Sequence, residues 1–364
     1  MVGSSVTAVV LSILNSGHLL RNIDLTHIAL IPKHKNPDKM SDFRPISLCN
    51  VIYKIISKVL ANRLKAILSS IISDSQSAFV PRRFITENVT VAFETLNSLR
   101  IRRSSKKAYM ALKLDMSKAY DRVEWRFLKL IMRKLGFADN WVNLIMEYIQ
   151  SVTYSVLIDG EPTGFIRLSR GLRQKDPLSP YLFLLCTEGL TSLIRQAELD
   201  GHIFRVATCR RRPKVSHLFF TNDNLLFCKA TISNSTKIME ILSLYEHSSG
   251  QKINREKSVI FFSSNTPQPT RDVIYQFWGT HASNQFRKYL GLPALVGHGK
   301  RAMFSEIKER VAKCLQGWKE KFLSKADREV LIKAIAQAIP TYSMNCFLLP
   351  KSWCSDVNGL ITKY

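Results

Sequence analysis

Two apolar segments of the sequence end in residues that could bind a cation. Asp115 closes the strand-like run at 108–115, and Asn222-Asp223 lies at the tip of the apolar hairpin "HLFFTNDNLLFC" at 217–228. If the strands are neighbours in one sheet, the two aspartates meet, and carboxylates are preferred Mg²⁺ ligands. Two such ions about 3.5–4 Å apart can hold the attacking and leaving oxygens of a phosphoryl transfer. The alternative is an ordinary polar turn and a helix-capping aspartate.

The composition favours a large folded protein that meets a polyanion. The chain has 364 residues, of which 46% are hydrophobic and 22% charged, enough to bury a core. Its 53 Lys and Arg against 28 Asp and Glu give a formal net charge of +25. Nucleic acid is the first candidate partner of so basic a chain, an anionic membrane surface the second, and scattered solubilising charge the third. Clustering at 100–107, 205–214 and 300–333 favours nucleic acid.

Cysteine usage and the N-terminus bear on localisation. Seven cysteines without a CxxC pair are typical neither of a disulfide framework nor of a zinc site. We therefore expect a reducing compartment, the nucleus or the cytoplasm. The apolar run at 7–14 is too short to cross a bilayer, and no basic segment precedes it, so no membrane partner is expected.

Helical and strand patterns alternate irregularly along the chain, which favours an α+β fold over a regular βαβ array. Residues 50–72 carry apolar residues at helical spacing, whereas 26–33 and 152–158 have the character of strands. Two long basic helices are predicted near the end of the chain, at about 300–322 and 326–339.

Three motifs resemble the consecutive palm motifs of a reverse transcriptase, namely "LDMSKAYDRV", "GLRQKDPLSPYLF" and "HLFFTNDNLLF". They are most similar to those of plant non-LTR retrotransposons of the long interspersed element (LINE) type. Flanking segments such as "SQSAFVPRRFITENV" and "KYLGLP" resemble the same family, so the resemblance covers about 5–350. The order and context of the motifs make the resemblance specific, although each motif alone is weak.

The resemblance implies an α+β right-hand polymerase with fingers, palm and thumb, whose central antiparallel palm sheet packs on helices. The fingers would span 1–105, the palm 106–295, and a truncated thumb of basic helices 296–364. The palm motifs lie around 108–122, 170–190, 215–228, 250–263 and 287–293. Family members typically carry an endonuclease upstream and further segments downstream, so the chain resembles part of a longer protein.

The family's catalytic residues map onto four positions. Asp115 and Asp223 match metal-binding aspartates, and Asn222 stands where the first of the paired hairpin aspartates is expected. Lys257 matches a lysine that protonates the leaving pyrophosphate. The implied cofactor is a pair of Mg²⁺ ions, for which Mn²⁺ could substitute. Asp121 is common in the motif without being a ligand, and we interpret it as a charge at the start of a helix.

The family's nucleotide-binding residues map onto four others. Tyr120 matches the aromatic ring beneath the incoming sugar, where a flat ring leaves no volume for a 2′-hydroxyl; an ordinary core tyrosine is the alternative. Lys33 and Arg44 resemble the finger cations that clamp the triphosphate, and arginine binds phosphate bidentately. Gln174 resembles the loop glutamine that touches the incoming nucleotide and the template.

The sequence departs from the family at strongly constrained positions. The family's hairpin reads aromatic-Ala-Asp-Asp, but here Asn222 replaces the first aspartate and removes one charge. Loss of one preorganised electrostatic group commonly costs about 10²–10³ in rate. Lys175 and Arg82 stand where the family usually has glycine. These departures imply a degenerate active site.

The implied function is an RNA-directed DNA polymerase domain that extends a DNA primer on an RNA template with deoxynucleoside triphosphates. Its activity would be impaired by Asn222. The alternative is a catalytically inactive, nucleic-acid-binding relic of a retrotransposon, because phosphate contacts come from many Lys and Arg residues. The sequence leaves both open, as well as template specificity and oligomeric state.

Overall fold

Sheet strands occupy the middle of the chain in the computed structural model, which describes residues 2–102, 107–207, 214–279, 288–295, 304–319 and 323–364. The strands are β1 (Leu25–Pro32), β2 (Phe43–Cys49), β3 (Tyr109–Met116), β4 (Thr153–Ile158), β5 (Glu161–Arg167), β6 (Val206–Ala207), β7 (Lys214–Val215), β8 (His217–Phe220), β9 (Asp223–Lys229), β10 (Ile253–Phe262), β11 (Lys288–Tyr289) and β12 (Leu292–Pro293).

Helices surround these strands. They are α1 (Val2–Ser16), α2 (Arg21–Asp24), α3 (Val51–Ile71), α4 (Ile85–Ile101), α5 (Trp125–Lys134), α6 (Asp139–Gln150), α7 (Ser179–Leu199), α8 (Ile232–Ser249), α9 (Gln268–Trp278), α10 (Ser305–Lys319), α11 (Lys325–Leu331), α12 (Ala338–Cys346) and α13 (Lys351–Thr362). The mixture of separate helices and sheets confirms the predicted α+β class.

The first sheet has the strand order β2-β1-β4-β5. Its β1 and β4 run parallel, while the other two pairings are antiparallel. The sharp turn between β4 and β5 falls at Asp159-Gly160, where both residues have positive φ, as expected of an Asp-Gly hairpin. This sheet carries the N-terminal residues predicted to bind the triphosphate.

The second sheet has the strand order β10-β3-β9-β8, and every pairing in it is antiparallel. It is the central antiparallel sheet predicted from the resemblance. Side chains of β3 alternate between its two faces. Met110, Leu112 and Leu114 join the larger core with α3, α7 and α8, whereas Ala111 joins a smaller cluster with α4 and Tyr289.

The C-terminal part differs from its prediction. Instead of one helix over 326–339, α11 is followed by a π-helical segment (Ile332–Ala336) and then by α12. Pro340 explains the break, because it has no amide hydrogen to donate to the carbonyl of Ala336. The predicted helix start near residue 300 lies outside the described residues, as do the predicted fingers–palm boundary at 105–106 and residue 296.

Across the ranges that the structure describes, none of the helices combines the length and the apolar composition needed to cross a bilayer.

Candidate functional site

Asp115 and Asp223 face each other across two neighbouring strands. They are register partners in the antiparallel pair β3–β9, where Asp115 is the penultimate residue of β3 and Asp223 the first of β9. Directly opposed residues in such a pair have Cβ atoms about 4.5–5.5 Å apart. The two carboxylates that the sequence singled out are therefore brought together.

The environment of Asp115 is partly buried and contains charges of both signs. Burial raises the pKa of the Asp115 carboxyl above its ordinary value. The positive charges of Lys257 and Lys113 lower this pKa, and the negative charge of Asp223 raises it. Desolvation and repulsion from Asp223 thus favour the protonated form of Asp115. A cation bound in the site would favour the ionised form instead.

Asn222 occupies the turn that precedes Asp223. Phe220 pairs with Asp223, so Thr221 and Asn222 form the two-residue turn of the β8–β9 hairpin. The hydroxyl of Thr221 donates to Oδ1 of Asn222 at 3.0 Å. Thr221 has φ +54°, a left-handed conformation that β-branched residues rarely adopt. Asn222 therefore places a neutral carbonyl oxygen, already engaged by a hydroxyl, where a third carboxylate is expected.

Lys257 lies where β10 departs from regular pairing. Asn254 pairs with Asp115, and the register between β10 and β3 then shifts before Val259. Within this irregular stretch the Lys257 amide donates to Oδ1 of Asn254 at 3.2 Å, and the residue is exposed. The positive charge of Lys257 acts on the Asp115 carboxyl and lowers its pKa.

Lys113 is a residue of this site that the sequence reasoning missed. Its Nζ lies 3.9 Å from Oδ1 of Asp223. The same Nζ donates to the backbone carbonyl of Lys288 at 3.1 Å. The period-two alternation of a strand could have indicated it, because Lys113 is two residues from Asp115 and shares its face of β3.

The donors fit a divalent cation, although less well than three carboxylates would. Carboxylate and amide oxygens are the ligand types that hard cations take. Considering the described residues alone, no group of three or more His, Cys, Asp or Glu side chains is placed to share a metal ion. Asp115 and Asp223 are thus the acidic donors, with Lys113 and Lys257 nearby.

Tyr120 follows β3 and packs beside the loop that leads into α7. Its ring is nearly parallel to that of Phe183, with centroids 5.1 Å apart and an interplanar angle of 17°. Its carbonyl accepts a hydrogen bond from the amide of Leu172 at 2.8 Å. Burial raises the pKa of Tyr120 to about 12, so its phenol is neutral at physiological pH.

Gln174 is held by Asp121, which corrects our interpretation of Asp121. Gln174 Nε2 donates to Asp121 Oδ1 at 3.0 Å. The prediction that Asp121 starts a helix is wrong, because α5 begins only at Trp125. The intervening turn instead presents Asp121 to the loop before α7. That loop approaches closely at Gly171, whose φ is +97° and where an added Cβ would lie 2.9 Å from the Asp121 carbonyl oxygen.

A buried ionic network lies beside Gln174 and was also missed. Arg173 Nη2 contacts Oδ1 of Asp24 at 2.7 Å, with 4% and 3% of the two side chains exposed. The Arg173 guanidinium also stacks 3.8 Å from the ring centroid of Tyr53. The partners come from α2 and α3, far away in sequence, so no local pattern could reveal them.

Lys33 and Arg44 lie on the first sheet. Arg44 pairs with Ile31 across β1 and β2, and Lys33 follows β1. The Lys33 Nζ donates to the carbonyl of Ser41 at 2.6 Å, and both cationic residues are exposed. Among the described residues, neither side chain forms an ion pair or a hydrogen bond with Asp115, so the structure does not join these two groups of predicted residues.

Two residues that replace the family's usual glycines have left-handed backbones. Lys175 has φ +72° and Arg82 has φ +65°. This conformation costs an L-residue other than glycine roughly 1–2 kcal/mol. Both residues thus have a backbone conformation that suits glycine better than a residue with a side chain.

Comparisons with known proteins agree with these features. A family model described as reverse transcriptase (RNA-dependent DNA polymerase) matches residues 31–294. The chain is 27% identical over 327 residues to an uncharacterised 149 kDa protein of transposon TX1 from Xenopus laevis, covering 88% of this chain and 24% of that protein. It is 29% identical over 252 residues to a retrovirus-related Pol polyprotein from a type-2 retrotransposable element of Drosophila melanogaster, covering 67% of this chain and 22% of that protein.

The fold also has a solved counterpart. The structure of apo telomerase from Candida tropicalis aligns with a TM-score of 0.51 at 15% identity, covering 99% of this chain and 66% of that chain. This likeness bears on the fold alone and confirms the right-hand polymerase architecture. The chain spans only about a quarter of the length of the two curated relatives, 24% and 22%.

Proposed function

The chain belongs to the reverse transcriptase family, and from this premise we propose that it is the polymerase domain of a plant LINE-type, non-LTR retrotransposon with impaired catalysis. The observation that carries the proposal is the pairing of Asp115 with Asp223 across β3 and β9. The replacement of a carboxylate by Asn222 at the same hairpin supports the impairment. The proposed reaction is transfer of a deoxynucleotide to a primer 3′-hydroxyl, directed by an RNA template.

Asp115 and Asp223 are the residues that would hold Mg²⁺ in this proposal, with Mn²⁺ as a substitute. A bound divalent cation would supply positive charge for the triphosphate and the attacking hydroxyl. Lys257, whose charge acts on Asp115, would donate a proton to the leaving pyrophosphate. Asn222 would offer one neutral oxygen, so the site would bind its cations with two carboxylates.

Four other residues would position the nucleotide. The Tyr120 ring, fixed by its stacking on Phe183, would lie beneath the sugar and exclude a 2′-hydroxyl. Gln174, fixed by Asp121, would touch the incoming nucleotide and the template. Lys33 and Arg44, beside β1 and in β2, would clamp the triphosphate from the fingers.

The domain assignment follows from the same proposal. We assign fingers to residues 1–105, which include the β1–β2 pair, and the palm to 106–295, which contain the antiparallel sheet. The helices within 296–364 form the thumb. The partners would be an RNA template, a DNA primer and deoxynucleoside triphosphates, bound in the nucleus or the cytoplasm, and the net charge of +25 suits these polyanions.

Primer extension on an RNA template tests the proposal. The wild-type chain and the Asn222→Asp variant are compared with Mg²⁺ and then with Mn²⁺. We expect weak or no extension by the wild type and an increase of about 10²-fold in the variant, because a ligand charge is restored. Asn140→Asp, at an exposed position of α6, is the control for added charge alone. Robust wild-type extension would contradict the impairment.

A second function, nucleic-acid binding without catalysis, is favoured by the basic composition together with Asn222. It predicts that fluorescently labelled template–primer binds equally well in EDTA, with affinity that falls steeply as salt increases. If both the wild-type chain and Asn222→Asp bind template–primer but neither extends the primer, this function is favoured over the first.

A further inference from the structure

The ammonium group of Lys113 lies beside a carboxylate that the proposed function assigns to a metal ion. Its Nζ is 3.9 Å from Oδ1 of Asp223, and the side chains of the two residues are 26% and 38% exposed. Lys113 is thus partly shielded from water, where charge interactions are stronger than in bulk solvent. Because strand residues two apart share a face, Lys113 also lies on the Asp115 side of β3.

A second contact fixes the position of this ammonium group. Nζ of Lys113 donates to the carbonyl of Lys288 in β11 at 3.1 Å. The adjacent Tyr289 is buried, 2% exposed, in the cluster that lies on the same face of the sheet. The Lys113 ammonium is therefore anchored between a carboxylate and a peptide carbonyl, rather than free to move into solvent.

The charges of the four side chains cancel. Asp115 and Asp223 contribute two negative charges, while Lys113 and Lys257 contribute two positive charges. Both lysines stabilise the ionised form of Asp115, as the direction of their effect on its pKa indicates. With a third carboxylate in place of Asn222 the cluster would remain negative and would attract a cation. With Asn222 the cluster is neutral before any metal arrives.

On the premise of the proposed function, we propose that Lys113 is an internal counter-cation that competes with divalent metal for Asp223 and keeps the metal affinity of the site low. A metal ion that binds Asp223 must displace the ammonium or bind next to it. Either event costs electrostatic free energy that a neutral side chain at position 113 would not impose. Lys113 thus acts on the site through its charge and its position beside Asp223.

Mn²⁺ binding to the full chain, followed by the electron paramagnetic resonance signal of the free ion, tests this without reference to catalysis. Lys113→Met should tighten the Kd for Mn²⁺ by about fivefold or more, because a positive charge beside the ligand is removed. Lys113→Arg keeps the charge and should leave the Kd near that of wild type. Lys134→Met, at an exposed position of α5, removes the same charge elsewhere and should also leave it unchanged.

Asn222→Asp separates failure of this proposal from failure of the proposed function. If Asn222→Asp tightens Mn²⁺ binding and Lys113→Met does not, the metal site stands and the role of Lys113 is overturned. If no variant binds Mn²⁺ over the millimolar range, the metal site itself fails, and both proposals fall. Thermal melts establish whether each variant folds. If Lys113→Met does not fold, Lys113→Gln, which removes the same charge, takes its place.

Discussion

Asp24 of α2 and Arg173 of the loop before α7 form an ion pair of 2.7 Å in the protein interior, 149 positions apart. Both side chains are almost fully buried, and the guanidinium also stacks on Tyr53. The pair ties the N-terminal part of the chain to the loop that carries Gln174. Its integrity therefore bears on both stability and the candidate site.

Removing the charge of Asp24 should be strongly destabilising. Asp24→Asn leaves Arg173 as an uncompensated buried charge, so we expect the free energy of unfolding to fall by about 3–5 kcal/mol. Urea denaturation followed by circular dichroism measures this. Asp139→Asn breaks the exposed pair with Arg133, whose side chains are 68% and 47% exposed, and should cost only about 0–1 kcal/mol. Equal losses in the two variants would refute the argument.

Glycine at positions 82 and 175 should stabilise the fold. Lys175→Gly and Arg82→Gly relieve the left-handed strain of roughly 1–2 kcal/mol, which exceeds the entropic cost of glycine, about 0.5–1 kcal/mol. Each should therefore raise the free energy of unfolding by about 0.5–1 kcal/mol. Arg126→Gly in α5 is the control and should lower it by a similar amount, since its backbone is helical. A loss of stability in both glycine variants would contradict the strain.

His217 should make the fold sensitive to acid. It is buried between the hydroxyls of Ser75 and Ser216, and burial lowers its pKa to about 3. The unfolded chain takes up a proton on this group near pH 6.5, whereas the folded chain does not until about pH 3. The unfolded state binds more protons between these values, so stability falls as the pH is lowered through this window, by about 1.4 kcal/mol per unit.

Urea titrations from pH 7.5 to 5 measure this contribution. The stability difference between wild type and His217→Gln should shrink by about 2 kcal/mol as the pH falls from 6.5 to 5. His202→Gln, which removes a histidine at an exposed position, is the control. A pH-independent difference for His217→Gln would show that burial does not lower the pKa of His217, and would contradict the prediction.

Tyr120 should set the choice between deoxynucleotides and ribonucleotides once activity is measurable. In the Asn222→Asp background, Tyr120→Val should increase the incorporation of ribonucleotides relative to deoxynucleotides by about tenfold or more, because a smaller side chain leaves room for the 2′-hydroxyl. Single-nucleotide extension on an RNA template gives this ratio. Tyr181→Val, which alters an aromatic residue within α7, is the control. An unchanged ratio for Tyr120→Val would assign the ring to the core alone.

The parts of the site that follow from local pattern could be predicted from sequence. The strand ending at Asp115 and the hairpin at Asn222-Asp223 carry alternating or continuous apolar residues, and their pairing follows from family resemblance. The hairpin tip is also an ordinary polar turn, so that alternative interpretation and the pairing of Asp223 with Asp115 both hold. Motif order therefore sufficed to place two carboxylates together, although their register depends on the whole sheet.

The remaining features depend on contacts that no local pattern encodes. Asp121 was predicted to start a helix, but a turn of several residues separates β3 from α5. The contact that Asp121 makes in this turn is with Gln174, in the loop before α7, which is distant in sequence. Lys113 and Arg173 are held in place by partners in β11 and α2, which are distant in sequence. The prediction of one basic helix over 326–339 overlooked how a single proline shifts the hydrogen bonding before it.

The strand arrangement around Asp115 also has a consequence for the order of folding. The amide of Asp115 donates to Ser258 in β10, 143 positions later, and β3 lies between β9 and β10, which both follow much later in the sequence. Pairings of such high contact order form slowly, since a long loop must close before they contribute. During synthesis, β3 therefore cannot pair until β9 and β10 have emerged from the ribosome. A chain that stops before residue 253 would expose β3 as an unpaired edge, open to aggregation or to capture by chaperones.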